Sequence, residues 1–141
     1  MDEKPLSKRS LARDCLFKAL YATQISDENL NDSLVDTLRE HHEKAIDQAY
    51  AKDLARDYSQ EKEAVHALLE PFIILQGKAN ITDIELAILR LAATEFLYKP
   101  DTPVKVVINE AILLSKRYGS EDGYKFVNGV LDKAQKKLHG H

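Results

Sequence analysis

Arg9, Arg13, Phe17 and Tyr21 recur at steps of four along the chain. On a helix that spacing sets two guanidinium groups and two aromatic rings on one gently drifting ridge. Lys8 and Lys18 flank it. Cations that meet phosphates, beside rings that stack on bases, make a surface for single-stranded nucleic acid, each stack being worth about 1–3 kcal/mol. The competing reading puts Phe17 and Tyr21 in the core and the arginines in solvent. A second basic edge lies near the C-terminus, where Lys125, Lys133, Lys136 and Lys137 surround Phe126 and Asn128. Asn can read a base edge and Phe can stack on one, yet Phe126 also fits an apolar helical stripe. Backbone donors at residues 120–123 suit a phosphate, but Glu121 and Asp122 oppose an anion there.

Catalytic chemistry finds no comparable grouping. The glycines at 77, 119, 123, 129 and 140 form neither a phosphate loop nor a dinucleotide fingerprint. His41, His42 and Glu43 are adjacent, and neighbours on a helix point about 100° apart, so they cannot share one ion. His139, Gly140 and His141 sit on a tail expected to fray. Cys15 has no histidine near it in sequence and reads as a small core residue. Glu95 and Glu110 stand singly in apolar segments, where capping or an ion pair with Arg90 is the expected role. The expectation is therefore a binding protein and not an enzyme, with no catalytic residue, metal or cofactor.

The elements that must position these residues are helical nearly throughout. Ser7 is expected to cap a first helix running to about Gln24, with Ala12, Leu16, Ala19, Leu20 and Thr23 as its apolar stripe. A second helix starts near Leu30. A third, long one starts at Asp47 and carries Tyr50, Leu54, Tyr58, Val65 and Leu68 until Pro71 ends or bends it. Residues 76–80 read as a turn. Thr82 and Glu85 form a capping box ahead of a run, 86–97, apolar on nearly every face; that helix belongs at the centre of a bundle. Thr102 as N-cap, with Pro103 after it, opens another helix that stops at Gly119, and Ser120 caps the last. The fold class is all-α, a compact bundle of about six or seven helices.

A chain of 141 residues, 44% hydrophobic and 30% charged, has the composition of one soluble globular domain. That domain is expected to span 1–141, with 1–6 and 139–141 frayed. The net charge of -3 hides an asymmetry. Residues 4–18 hold five bases against Asp14 alone, residues 26–70 twelve acids against five bases, and residues 99–141 eight bases against five acids. Local patches, not the average, decide phosphate binding. One cysteine allows no intrachain disulfide. No apolar run reaches the roughly 18 residues of a membrane span, and the opening stretch has no apolar core of a signal peptide. A cytoplasmic protein without membrane contact is expected.

Longer motifs point further. Ile108-Asn109-Glu110-Ala111, Ser115-Lys116-Arg117-Tyr118-Gly119 and Lys125-Phe126-Val127-Asn128-Gly129-Val130-Leu131-Asp132-Lys133 together resemble the C-terminal signature of the NusB family. Residues 85–92 resemble its central helix, and Arg13-Asp14-Cys15 with Ala19-Leu20-Tyr21 its arginine-rich opening helix. The resemblance spans about residues 8 to 134. It implies two packed helical subdomains. It also implies a transcription antitermination factor that binds single-stranded boxA RNA together with NusE, a small-subunit ribosomal protein. Acting with RNA polymerase and the other Nus factors, such a pair promotes transcription of ribosomal RNA operons. Carried over by position, the RNA surface is Lys8, Arg9, Arg13, Tyr21, Phe72, Asp122 and Phe126, joined by Asn128 from the reading above; Glu85 is the expected partner contact. The chain departs from the family in its opening cluster, where Ser10 and Leu11 interrupt the bases, and in lacking Trp. The alternative is a helical protein-binding adaptor with no RNA binding of its own. A homodimer covering the same faces is a side reading.

Overall fold

The computed structural model describes residues 6–41, 45–77 and 80–140. His42, Glu43, Lys78, Ala79 and His141, and the fraying expected for residues 1–5, lie outside them. The described residues form seven helices: α1 (Lys8–Ile25), α2 (Leu30–Glu40), α3 (Gln48–Gln60), α4 (Lys62–Leu75), α5 (Asp83–Tyr98), α6 (Val104–Tyr118) and α7 (Gly123–His139). No strand occurs among the described residues. α1, α2 and α3 pack on one another, and α4, α6 and α7 gather around α5. α1 and α3 join the two groups by packing on α5. The apolar faces merge into one core in which α5 contributes Ala87, Ile88, Leu89, Leu91, Ala92, Ala93 and Phe96. α5 is thus the central helix that its sequence requires, and its capping box closes in both directions between Thr82 and Glu85.

Local chemistry explains most ends. The Ser7 hydroxyl accepts from the Ser10 N–H, Asn29 caps α2 and the Asp47 carboxylate caps α3 through the Tyr50 N–H. Gly119 ends α6 in extended backbone, and a Cβ there would come 2.7 Å from the Ser115 carbonyl oxygen, so only glycine fits without a shift. α6 starts at Val104 with Pro103 as its N-cap, one residue later than expected. The N-cap of α7 is Asp122, not Ser120, and α7 runs through His139 to Gly140 at φ 71°.

Two expectations are corrected. The long third helix is two helices, because Glu61 leaves helical geometry at φ -122°, ψ 30°. The single stripe in the sequence is divided between them: Tyr50, Leu54 and Tyr58 are buried on α3, which packs on α1, α2 and α5, while Val65 and Leu68 are buried on α4, which packs on α5 and α7. Pro71 does not end α4, which continues four residues to Leu75. The hydrogen bond it forgoes would have gone to the carbonyl of exposed Ala67, where water can serve instead.

An ion-pair network lies in the interior. Arg13 is 2% exposed and Glu95 is fully buried. Arg13 Nε donates to Glu95 Oε1 at 2.7 Å and Nη2 to Oε2 at 3.0 Å. The Tyr50 hydroxyl donates to Glu95 Oε2 at 2.6 Å. Arg13 Nη1 lies 3.3 Å from Glu110 Oε1, which also accepts from the Ser10 hydroxyl. Glu95 and Glu110 therefore pair with Arg13, not with Arg90. Positions 90 and 95 stand about 140° apart around α5, and the half-buried Arg90 donates to Gln24 Oε1 instead. Burial opposes the Arg13 charge, but the hydrogen bond and charge of Glu95 outweigh it and hold the guanidinium pKa above its usual value. Burial beside Glu95 pushes the Tyr50 phenol up to about 12.

Removing one partner leaves the other charged and dry. Arg13→Ala and Glu95→Ala should each lower unfolding stability by about 3–5 kcal/mol in urea denaturation. The double variant should lose clearly less than the sum of the two, because the orphaned charge is then gone.

Candidate nucleic-acid interface

Asp14 organises the surface beside that network. Its carboxylate, on α1, meets the end of α6 and collects three donors. Lys18 Nζ lies 3.0 Å from Oδ2, Arg117 Nη1 donates to Oδ1 at 2.8 Å, and the Tyr118 hydroxyl donates to the same oxygen at 2.7 Å. Burial alone would raise the Asp14 pKa, but the hydrogen bonds from Tyr118 and Lys18 and the charges of Lys18 and Arg117 pull it below its ordinary 3.8. Lys18 responds in kind: burial works against its charge, and Asp14 raises its pKa nonetheless.

Aromatic rings line up on this anchor. Phe17 stacks on Tyr118 at 5.0 Å and 25°, and on Tyr21 at 6.3 Å and 29°. Lys18 Nζ and the Arg117 guanidinium each stand 5.7 Å from the centre of the Tyr118 ring. Lys116 Nζ lies 4.8 Å over Tyr124 at the start of α7. Phe17 itself is 3% exposed and belongs to the core, so the rings presented beside these cations are the half-buried Tyr21, Tyr118 and Tyr124, at the end of α1, the end of α6 and the first turn of α7. That is a surface able to stack bases and neutralise phosphates.

The expected site residues divide. Lys8 and Arg9 are exposed at the opposite end of α1, about 18 Å from Tyr21. Arg9 lies 4.1 Å over the Tyr50 ring and 3.4 Å from Asp47, beside a polar cleft of about 460 Å³. Tyr21 is half-buried against Phe17, and Asp122 is exposed with its carboxylate 3.4 Å from Lys125. The end of α1 and the start of α7 each reach the first turn of α5, where Gln24 Nε2 donates to the Asp83 carbonyl and Gly123 approaches Glu85. Phe72 is half-buried on α4, and Asn128 is exposed on α7 next to Gly129, against which Gln76 of the α4 end packs.

Three residues are not where a binding surface needs them. Arg13 is inside, spent on Glu95 and Glu110, so it is not on the ridge with Arg9. Glu85 is 1% exposed, its Oε1 taken by the Thr82 N–H and hydroxyl. Phe126 is 9% exposed and belongs to the core, as the competing reading had it. Conversely, Lys18 and Arg117 carry more of the surface than their place in the sequence suggested. Arg117 stands 103 positions from Asp14, and nothing local signals that they meet. His41 Nδ1 pairs with the Thr37 carbonyl, and no group able to hold a metal occurs among the described residues. No helix among them is long and apolar enough to cross a membrane.

Asp14 makes the surface acid-sensitive. Its folded pKa is depressed, so its stabilising contribution is complete above its ordinary pKa and lost as pH falls through the folded value. Asp14→Asn should lower stability at neutral pH and flatten the loss of stability between about pH 5 and pH 2, read from urea midpoints across that range.

Comparison with known proteins agrees with this architecture. The model of the NusB family matches residues 10–136. The transcription antitermination protein NusB of Actinobacillus succinogenes is 40% identical over 131 residues, covering 93% of this chain and 92% of its own. That of Yersinia pestis (strain Pestoides F) is 41% identical over 130 residues, covering 92% and 93%. Among solved structures, T. maritima NusB superposes with a TM-score of 0.79 at 30% identity over 96% of this chain and 94% of its own. A chain from the crystal structure of antitermination factors NusB and NusE in complex with double-stranded RNA gives 0.80 at 27% identity, covering 91% and 96%. The relatives are named for transcription antitermination and not for catalysis. Family match, relatives and fold agree: this chain belongs to the NusB family.

Proposed function

We propose that this chain is a cytoplasmic transcription antitermination factor, acting as a single binding domain. Its ligand is boxA-type single-stranded RNA, held jointly with NusE, and the pair works with RNA polymerase and the other Nus factors on ribosomal RNA operons. The observation that carries the reading is the Asp14-anchored surface, in which Lys18 and Arg117 flank Tyr118 and the stack continues through Phe17 to Tyr21. The relative described with NusE and RNA supports both partners.

In this reading Lys8 and Arg9 attract the strand from one end of α1, and Lys18 and Arg117 receive phosphates at the other. Tyr21 and Tyr118 offer ring faces and edges, Phe72 extends the aromatic surface on α4, and Asn128 reads a base edge. Arg13 supports the face from within, and Asp122 positions Lys125. NusE raises RNA affinity by extending the surface, and RNA raises NusE affinity by the same factor.

Fluorescence anisotropy of a labelled boxA RNA, with and without NusE and at several salt concentrations, tests this. Tight binding that is weakened by salt, strengthened by NusE and absent for a scrambled RNA is expected. Lys18→Ala/Arg117→Ala should weaken it about tenfold or more, with the helical circular dichroism unchanged. The salt slope should fall by about 0.7 for each phosphate that the variant no longer neutralises. NusE binding without RNA binding would replace this reading with the adaptor. A dimer in sedimentation that dissociates on adding RNA would place self-association on the same face.

A further inference from the structure

We infer that the cleft between α4 and α5 is a docking site for a partner protein, built to receive on Arg90 a carboxylate carried by an aliphatic segment. The inference stands apart from the RNA-binding reading and does not need it. His66, Leu69, Glu70 and Ile73 stand three and four apart along α4 and so share one face, and Leu86 and Arg90 stand one turn apart on α5. Between them lies a cleft of about 220 Å³. That is smaller than the roughly 300–1,000 Å³ of sites for small organic ligands, and it suits one or two side chains of a larger partner. Apolar surface continues beyond it. Ile74, one turn past Glu70, is 70% exposed, and Ile25 at the end of α1 is 58% exposed. Gln24, the neighbour of Ile25, is bonded to Arg90.

The polar groups of the cleft lack an anion. Arg90 Nε is buried and donates to nothing among the described residues. Nη1 donates only to the neutral Gln24 side chain, at 3.2 Å, and among those residues Arg90 forms no ion pair. A buried donor left without an acceptor is costly, and a charged one more so. On the α4 wall, His66 Nε2 and the Tyr58 hydroxyl of α3 share a hydrogen bond of 2.8 Å, with the two rings 5.8 Å apart. The imidazole is thereby held in place, with Nδ1 as its remaining nitrogen. Burial lowers the His66 pKa, the charges of Arg90 and Lys62 lower it further, and only Glu70 works the other way. The same positive field that repels a proton from His66 attracts a carboxylate. Such a group offsets the Arg90 charge, gives Nε its acceptor and lets His66 take up a proton, so that Nδ1–H donates as well. Leu69, Ile73 and Leu86 cover the methylenes that carry it.

NMR titration of the isotope-labelled full chain with the blocked peptide acetyl-Ala-Leu-Glu-Leu-Ala-amide, and with its Gln counterpart, tests this. The Glu peptide should bind with a Kd on the order of 1 mM, the range of one charge-assisted contact under a small apolar cover. Saturable shifts of the Arg90 Nε–H, the His66 ring and the Ile73 and Leu86 amides are expected for the Glu peptide and not for the Gln peptide. Arg90→Gln should weaken binding about tenfold or more, and Glu70→Gln, at an exposed position, should strengthen it about 2–3-fold. Binding raises the His66 pKa and takes up a proton, so affinity should rise from about pH 8 to about pH 6, and His66→Gln should remove that rise while keeping the Arg90 shift. The inference is overturned if the Gln peptide binds as well as the Glu peptide, or if the shifts centre on Lys18 and Arg117 instead. It is equally overturned if no saturable shift occurs up to about 10 mM peptide, or if Arg90→Gln, folded by circular dichroism, keeps the wild-type affinity. Should Arg90→Gln not fold, Glu70→Gln decides, and unchanged or weaker binding by it overturns the site. An affinity that does not vary with pH overturns the part given to His66.

Discussion

Arg13 and Glu95 bring opposite charges into an interior closed to water, and much of the structure follows from how their desolvation is offset. Each charge must meet hydrogen-bonding groups from several helices at once, because no single helix can saturate a buried guanidinium and a buried carboxylate. α1 brings Arg13, α5 brings Glu95, α3 brings Tyr50 and α6 brings Glu110. Apolar packing would tolerate small rotations of these helices. A two-pronged Arg–carboxylate pairing tolerates much less. The network therefore fixes the rotation of α1 about its axis, which decides that Asp14, the next residue, aims at the end of α6.

From Asp14 outward the structure turns from stability to recognition. The carboxylate restrains Lys18, Arg117 and the Tyr118 hydroxyl, so the entropy of ordering two long cationic side chains is spent in folding and not at binding. It also lowers the net charge of the patch. A ligand phosphate must compete with Asp14 for the same two cations, so attraction depends on a strand that offers stacking as well as charge. In the proposed reading, that combination favours RNA with unpaired bases over an arbitrary polyanion.

The all-α architecture was legible because it rests on local signals: the Thr82–Glu85 capping box, the Ser7 cap, the stop at Gly119 and the all-round apolarity of α5. The break at Glu61 was not, because an apolar stripe keeps its period when a helix ends and restarts at once; only the change of packing partner reveals it. The site was half legible. Arg9, Arg13, Phe17 and Tyr21 do share α1, but spacing along one helix cannot tell which side faces a neighbouring carboxylate, so Arg13 read as surface when its partner lies 82 positions away. The burial of Glu85 was not legible for a related reason: a capping carboxylate is normally solvated, and here another helix starts close to it. Lys18 and Arg117 gained their place only through the fold.

Cys15 lies between these two worlds, fully buried on α1 immediately after Arg13 and Asp14, and it is the chain's one cysteine. A thiol reagent can reach it only when α1 leaves the core, which requires breaking the Arg13–Glu95 pair on the way. The protein thus carries a built-in chemical clock: the rate of Cys15 modification under native conditions reports how often the centre of the molecule opens. No foreign probe is needed, and any ligand that binds only the closed form must slow that clock in proportion to its occupancy.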